Sequence, residues 1–259
     1  MKIKYIKLSI ISVTIFCMSI QLFSTESSIP LLSTGYEPRY IIDMPNAGML
    51  GNLNYAIGMQ MISNGGFVFE FTAAPFHFLN IGISYGGSGI VGSGDIEMQY
   101  IPGVHLKGRI INETKEIPAF VIGFNSQGKG QYFRTSKRFE EYSPGFYVAA
   151  SKCYLWNLGE ISLHAGLNYS VDNHSDGINA YCGIEQIILK FFSLNFELNS
   201  NLNESNNEIW SEKMLLNASL RFKLTKNIMF EFQFRDLLKN SKYSNGINRF
   251  IGLEYIGKF

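Results

Sequence analysis

Ser162 and His164 stand two residues apart in an alternating segment, so both project from one strand face. A hydroxyl beside an imidazole is the start of a hydrolase relay of the kind outer-membrane lipid deacylases use. It also needs direct hydrogen-bond contact and a third group to orient the ring. No third group is evident, and both residues fall on an inward face, so a structural role is the expectation. His174-Ser175-Asp176 is a consecutive run whose three side chains diverge, which reads as a turn. His77 and the other three histidines have no partners at ligand spacing, and Cys153 and Cys182 lie far apart, so no metal site and no cofactor are expected. Gly86-Gly87-Ser88-Gly89 and Gly92-Ser93-Gly94 resemble a phosphate cradle only in composition, since no helix follows, and read as a mobile outer loop.

Charge offers more. His105, Lys107 and Arg109 share one face of a segment whose other face carries Val104, Leu106 and Ile110. Carboxylates at Glu70, Glu231 and Glu254 and cations at Arg221, Lys223 and Lys258 fall on equivalent faces. If those faces line a lumen, a basic ladder favours anionic solutes such as acidic polysaccharide. The competing reading is internal pairing, because a low-dielectric interior favours paired over isolated charges. Arg221 and Glu231 lie near each other across the turn at 225–227.

Twelve alternating segments must position these groups: 53–61, 67–73, 79–85, 104–111, 117–124, 146–153, 161–169, 178–188, 194–198, 214–224, 228–234 and 249–259. In 228–234 the apolar set Ile228, Phe230, Phe232 and Phe234 opposes Met229, Glu231 and Gln233. The second face elsewhere holds Gly58, Gly82, Gly166 and Gly183 among Asn54, Gln60, Ser84 and Asn168. Small uncharged residues there suit a narrow lumen better than a solvated sheet. From the fourth segment on, connections run short and long in turn, as membrane barrels alternate short periplasmic turns with longer outer loops. The tight turn at Ser63-Asn64-Gly65-Gly66 is the exception. The expected fold is an all-β, antiparallel up-and-down transmembrane β-barrel of about twelve strands, with both ends in the periplasm. Tyr55, Phe67, Tyr85, Phe146, Tyr169 and Tyr255 are candidates for its aromatic girdles.

The chain opens with Lys2, Lys4 and Lys7, then runs apolar from Leu8 to Phe23 before Ser24-Thr25-Glu26. This is the pattern of a cleaved signal peptide, too short for a spanning helix. Phe16 is too bulky for a lipobox before Cys17. The expected division is a leader over 1–24, a periplasmic lead-in or plug over 25–52, and a barrel over 53–259. Losing the leader takes the formal charge from +1 to −2, which argues against nucleic acid as a partner. Cys153 and Cys182 fall on non-adjacent strands, so no disulfide is expected.

The last segment resembles the closing strand recognised by outer-membrane assembly machinery, through Ile251, Leu253, Tyr255 and Phe259, with Gly257 departing. Ile41-Ile42-Asp43-Met44-Pro45-Asn46-Ala47-Gly48-Met49 and Asn80-Ile81-Gly82-Ile83-Ser84-Tyr85-Gly86-Gly87 carry a further likeness. With them go Pro102-Gly103-Val104, Ile117-Pro118-Ala119-Phe120, Gly123-Phe124 and Ser143-Pro144-Gly145-Phe146-Tyr147-Val148-Ala149-Ala150-Ser151-Lys152. Over residues 40–155 the chain resembles the YjbH-like group of outer-membrane barrels, a family linked to exopolysaccharide production and export. The resemblance implies a non-enzymatic barrel in contact with outer-membrane lipid and the barrel-assembly machinery, and with polysaccharide or an export complex as further partners. A structural or adhesive barrel with a closed lumen is the alternative, and a lipid hydrolase the third reading.

Overall fold

The computed structural model describes residues 37–92, 95–205, 209–243 and 246–259. The expected leader and residues 25–36 lie outside this set. Fifteen strands follow in chain order: β1 (Asn54–Ile62), β2 (Gly66–Phe76), β3 (Leu79–Ser88), β4 (Glu97–Met98), β5 (Gly103–Ile111), β6 (Ala119–Asn125), β7 (Lys129–Phe133) and β8 (Arg138–Glu141). Then come β9 (Gly145–Trp156), β10 (Gly159–Tyr169), β11 (Asn179–Ile188), β12 (Phe192–Asn199), β13 (Leu215–Lys223), β14 (Ile228–Arg235) and β15 (Asn248–Lys258).

Twelve of them form one antiparallel ring in the order β2-β1-β15-β14-β13-β12-β11-β10-β9-β6-β5-β3, closed by β2 pairing with β3. Closure leaves no sheet edge, which is how strands cross lipid without unpaired peptide groups. The twelve segments expected from alternation are these twelve strands, with ends shifted by a few residues. The extra strands belong to connections. β4 pairs only with the end of β3, and β7 with β8 forms a separate hairpin.

The barrel is inverted relative to a soluble sheet. Ile83 is 57% exposed on the outer wall while its neighbour Ser84 is 2% exposed inside. The same holds around the ring: Ile57, Phe69, Val104, Ile122, Val148, Leu167, Phe196 and Phe232 are exposed, whereas Asn80, Asn168, Asn179, Asn195, Asn217 and Ser219 are buried. Apolar groups outside and polar groups inside define a transmembrane β-barrel.

Aromatic rings mark the rims. Tyr55 packs against Phe71, Tyr255 and Phe259 near the end bearing the short turns. Gly257, the departure from the closing-strand pattern, has a reason here. A Cβ on it would lie 2.3 Å from the Tyr55 ring, so the glycine makes room for an aromatic from the paired strand.

The tight turn between β1 and β2 is also explained. Gly65 has φ +60° there, and the β3–β5 connection covers the turn through Gly89 N–H to Asn64 O and Val91 N–H to Gly65 O. One expectation needs correcting: Gly86, Gly87 and Ser88 are strand rather than mobile loop, because glycine lets β4 approach, and a Cβ at Gly87 would sit 2.6 Å from Glu97 O. Ser93 and Gly94 lie outside the described residues. Cys153 is buried on the inner side of β9, and Cys182 is on the outer face of β11.

Replacing Ile83 with Arg should destabilise the vesicle-inserted barrel by about 2–4 kcal/mol in urea titrations. An effect near zero would mean that this face meets water instead of lipid.

Candidate functional site

The lumen is occupied by the chain itself. The segment from Glu37 to Leu50 enters at the short-turn end, reverses at Ile41–Met44 and returns to β1. Ile41 N–H bonds Met44 O at 2.9 Å, Tyr40 bridges Pro45, and Asn46 N–H reaches Arg39 O at 3.2 Å. Residues 37–50 thus lie inside the barrel, against its inner wall. Gly48 keeps its two legs together, since a Cβ there would fall 1.9 Å from Pro38 O. Gly183 on the wall makes room for the tip, because its Cβ would meet Ile41 Cγ2 at 2.6 Å.

Three small apolar contacts seat this strap. Ala47 and Met49 pack with Ala119, Val121, Tyr147 and Ala149, Ile41 and Met44 with Tyr181, and Leu50 with Ala56, Ala74 and Ile256. Polar contacts from the wall do the rest. Glu197, fully buried on β12, accepts the consecutive N–H groups of Ile42, Asp43 and Met44 at 3.0, 2.9 and 2.9 Å. From β5, Lys107 Nζ donates to the carbonyls of Arg39, Asn46 and Gly48 at 2.7, 3.1 and 3.2 Å. Arg235 pairs with Asp43, which also accepts from Asn217 at 3.1 Å.

The charged residues picked out by alternation mostly converge on this strap. Arg109 bonds Glu37 and Ala47 O, and His105 lies 3.4 Å from the Tyr40 hydroxyl and 2.9 Å from Ser84 Oγ. Glu70 and Glu254 both meet Arg39. Arg221 bridges Glu185 and Glu231, each at 3.0 Å, and donates to Ile41 O at 2.9 Å. Two residues stand apart. Lys223 is half-buried near the short-turn rim, and Lys258 is exposed there, so the latter does not line the lumen. Its parity is inward, but it is the last residue of β15 and is exposed. The strap residues Glu37, Arg39 and Asp43 and the wall residues Glu185, Glu197, Asn217 and Arg235 were missed. Alternation in Phe192–Asn199 already marks Glu197 as inward; nothing in a non-alternating segment marks Asp43.

Ser162 is not the hydroxyl that meets His164. Ser151 Oγ on β9 lies 2.7 Å from His164 Nδ1, while the other ring nitrogen is 3.9 Å from Glu185. A third group therefore exists, but Glu185 is committed to Arg221, and Ser151 Oγ already accepts Ala47 N–H at 2.9 Å. His174, Ser175 and Asp176 sit in a loop joined to its neighbours: Tyr142 donates to His174 O, Asn203 to Ser175 Oγ, and Asp176 N–H to Asn203 O.

The β7–β8 hairpin roofs the long-loop end. Arg138 forks onto Glu204 at 3.1 and 2.7 Å, both fully buried, and stacks on Tyr142. Trp210 Nε1 donates to Glu140 O. Burial, then the nearby Asp43, Glu197 and Glu140 carboxylates, push the Glu141 carboxyl well above its ordinary range against the pull of Arg235. Open space lies beside the strap. A cavity of about 420 Å³ opens at the short-turn end, lined by Glu37, Arg109, Asn112, Ser151, His164 and Glu185. Another of about 110 Å³ lies against Gln60, Glu70, Lys129, Glu231 and Gln233. Among the described residues no group of three His, Cys, Asp or Glu side chains is placed to hold a metal ion.

Fold and lumen together define a plugged twelve-stranded transmembrane barrel. No protein-family model and no curated protein matches the chain. Solved structures similar to it include "KdgM porin", with TM-score 0.47 and 11% identity, covering 78% of this chain and 98% of that one. The outer membrane protein Omp33 of Acinetobacter baumannii has TM-score 0.44 and 11% identity, covering 80% and 100%. A NanC porin structure has TM-score 0.42 and 9% identity, covering 80% and 99%.

Glu197→Ala leaves three strap N–H groups without an acceptor and should cost roughly 3 kcal/mol or more in urea unfolding, Glu197→Gln clearly less. For Glu141, a folded pKa above the unfolded one means that its contribution is full below the unfolded value and is lost as pH rises through the folded value. Hydrogen exchange over 129–141, corrected for intrinsic rates, should therefore quicken with rising pH, and Glu141→Gln should flatten that dependence.

Proposed function

We propose that this protein is a non-enzymatic outer-membrane barrel that serves export or assembly of surface polysaccharide as a gated conduit, closed at rest by its own strap. The observation that carries the proposal is the nature of the closure. The lumen is blocked by a separate segment held through side-chain latches, not by wall residues too large to leave a passage. A barrel built only as a scaffold can fill its interior with its own wall side chains, as small barrels do. Here a separate segment of chain lies among wall glycines, short polar residues and the longer charged and tyrosine side chains that hold it.

The envelope location is supported by the leader pattern, the apolar outer belt and the closing strand. The polysaccharide role is supported by the likeness to YjbH-like barrels over residues 40–155 and by a lumen lined with amides, hydroxyls and paired charges. A non-enzymatic role is supported by the position of Glu185, which lies 3.0 Å from Arg221 but 3.9 Å from His164, so the carboxylate that would orient the ring is held elsewhere. The roof formed by β7 and β8 favours the second reading, a structural barrel whose lumen never opens.

Planar-bilayer recording separates the two. The natural chain should give little steady current, whereas the folded Lys107→Gln/Asp43→Asn chain, with two latches weakened, should show discrete conductance steps. Adding Arg109→Glu should then shift the ion selectivity toward cations. A folded double variant that stays silent would leave the structural barrel as the better account.

A further inference from the structure

The strap meets a wall of mixed charge with a partner for each sign. Its one guanidinium, Arg39, lies between Glu70 of β2 and Glu254 of β15. Its two carboxylates, Glu37 and Asp43, meet Arg109 of β5 and Arg235 of β14. Its carbonyls gather on Lys107 and its N–H groups on Glu197. Anything that replaced the strap would face the same fixed array of buried charges, each costly to leave without a counterpart.

That requirement discriminates between ligand classes. A polyanion answers Lys107, Arg109 and Arg235, yet sets like charge against Glu70, Glu254 and Glu197, and like-charge juxtaposition is strongly unfavourable. A polycation fails on the opposite residues, and an apolar chain on all of them. Hydroxyl groups donate and accept, so they can stand in for both the carbonyls at Lys107 and the N–H groups at Glu197. We infer that the lumen track occupied by Glu37–Leu50 is a binding site for a glycan chain bearing both amino and carboxylate groups, and that the strap is the internal competitor for it. This revises the expectation of an acidic polymer drawn from His105, Lys107 and Arg109 alone. It rests on the conduit proposal only in requiring that the strap can leave.

The test follows the strap rather than the current. Met44 is 4% exposed at the strap tip, so Met44→Cys, with Cys153→Ser and Cys182→Ala, reports displacement through maleimide labelling located at position 44 by mass spectrometry. The probes are three oligosaccharides of equal length: alternating glucuronate and glucosamine with free amino groups, oligogalacturonate, and chitosan oligomers. The mixed-charge oligomer should speed labelling about tenfold more than either single-sign chain. Glu70→Gln/Glu254→Gln should move the preference toward oligogalacturonate. Equal or greater effect of oligogalacturonate on the unaltered wall overturns the inference, as does no effect of any sugar. Hydrogen exchange of the 37–50 amides in the natural chain, with the same three probes, gives the answer if the cysteine variant does not fold. Displacement with a silent bilayer would refute conduction and keep the site; conduction without sugar preference would refute the site alone.

Discussion

A carboxylate buried inside a barrel must find its hydrogen bonds within the protein, and Glu197 shows how this chain meets that constraint. Its oxygens are buried, and they take three successive N–H groups from the strap and an amide from Asn217. Lys107 is the opposite case, an ammonium surrounded by three strap carbonyls. Buried polar groups must be satisfied or the fold loses several kcal/mol at each. The inner wall and the strap therefore depend on each other: without the strap, Lys107 and Glu197 lose the backbone groups they bind, and those strap groups lose their partners.

This dependence links the outside of the barrel to its function. Lipid selects the apolar outer belt, and strand pleating then sends every alternate residue inward, where glycine, serine and asparagine stand among the charged side chains that hold the strap. Small wall residues such as Gly183 leave the volume, and the strap fills it. Side-chain latches and small apolar contacts share the task of holding the strap. The Arg138–Glu204 pair and Trp210 hold the roof by the same logic, with Arg138 donating also to the carbonyls of Phe139 and Glu140 and the indole bonded to a hairpin carbonyl.

The fold was largely legible in the amino-acid order. Period-2 alternation is a local property, and a membrane barrel repeats it on every strand, so all twelve ring strands could be placed to within a few residues. Pairing between Arg221 and Glu231 was legible too, because a short turn puts 221 opposite 231. The β7–β8 hairpin was not, since it packs into the barrel mouth on both sides and has no reason to alternate; neither was the strand ending at Ser88, where glycine serves close backbone approach.

The sequence by itself determined which residues face inward and outward and therefore that lipid, not water, surrounds the wall. Tertiary structure alone decided what the inward residues touch. Arg39 and Glu254 are 215 positions apart and Arg235 and Asp43 are 192 apart, contacts that no spacing rule relates. Ring closure brings every strand face to one axis, and only there does a short non-repeating segment meet residues from β2, β5, β12, β14 and β15 at once. Alternation records which side of a sheet a residue occupies; it carries no record of what lies across the lumen.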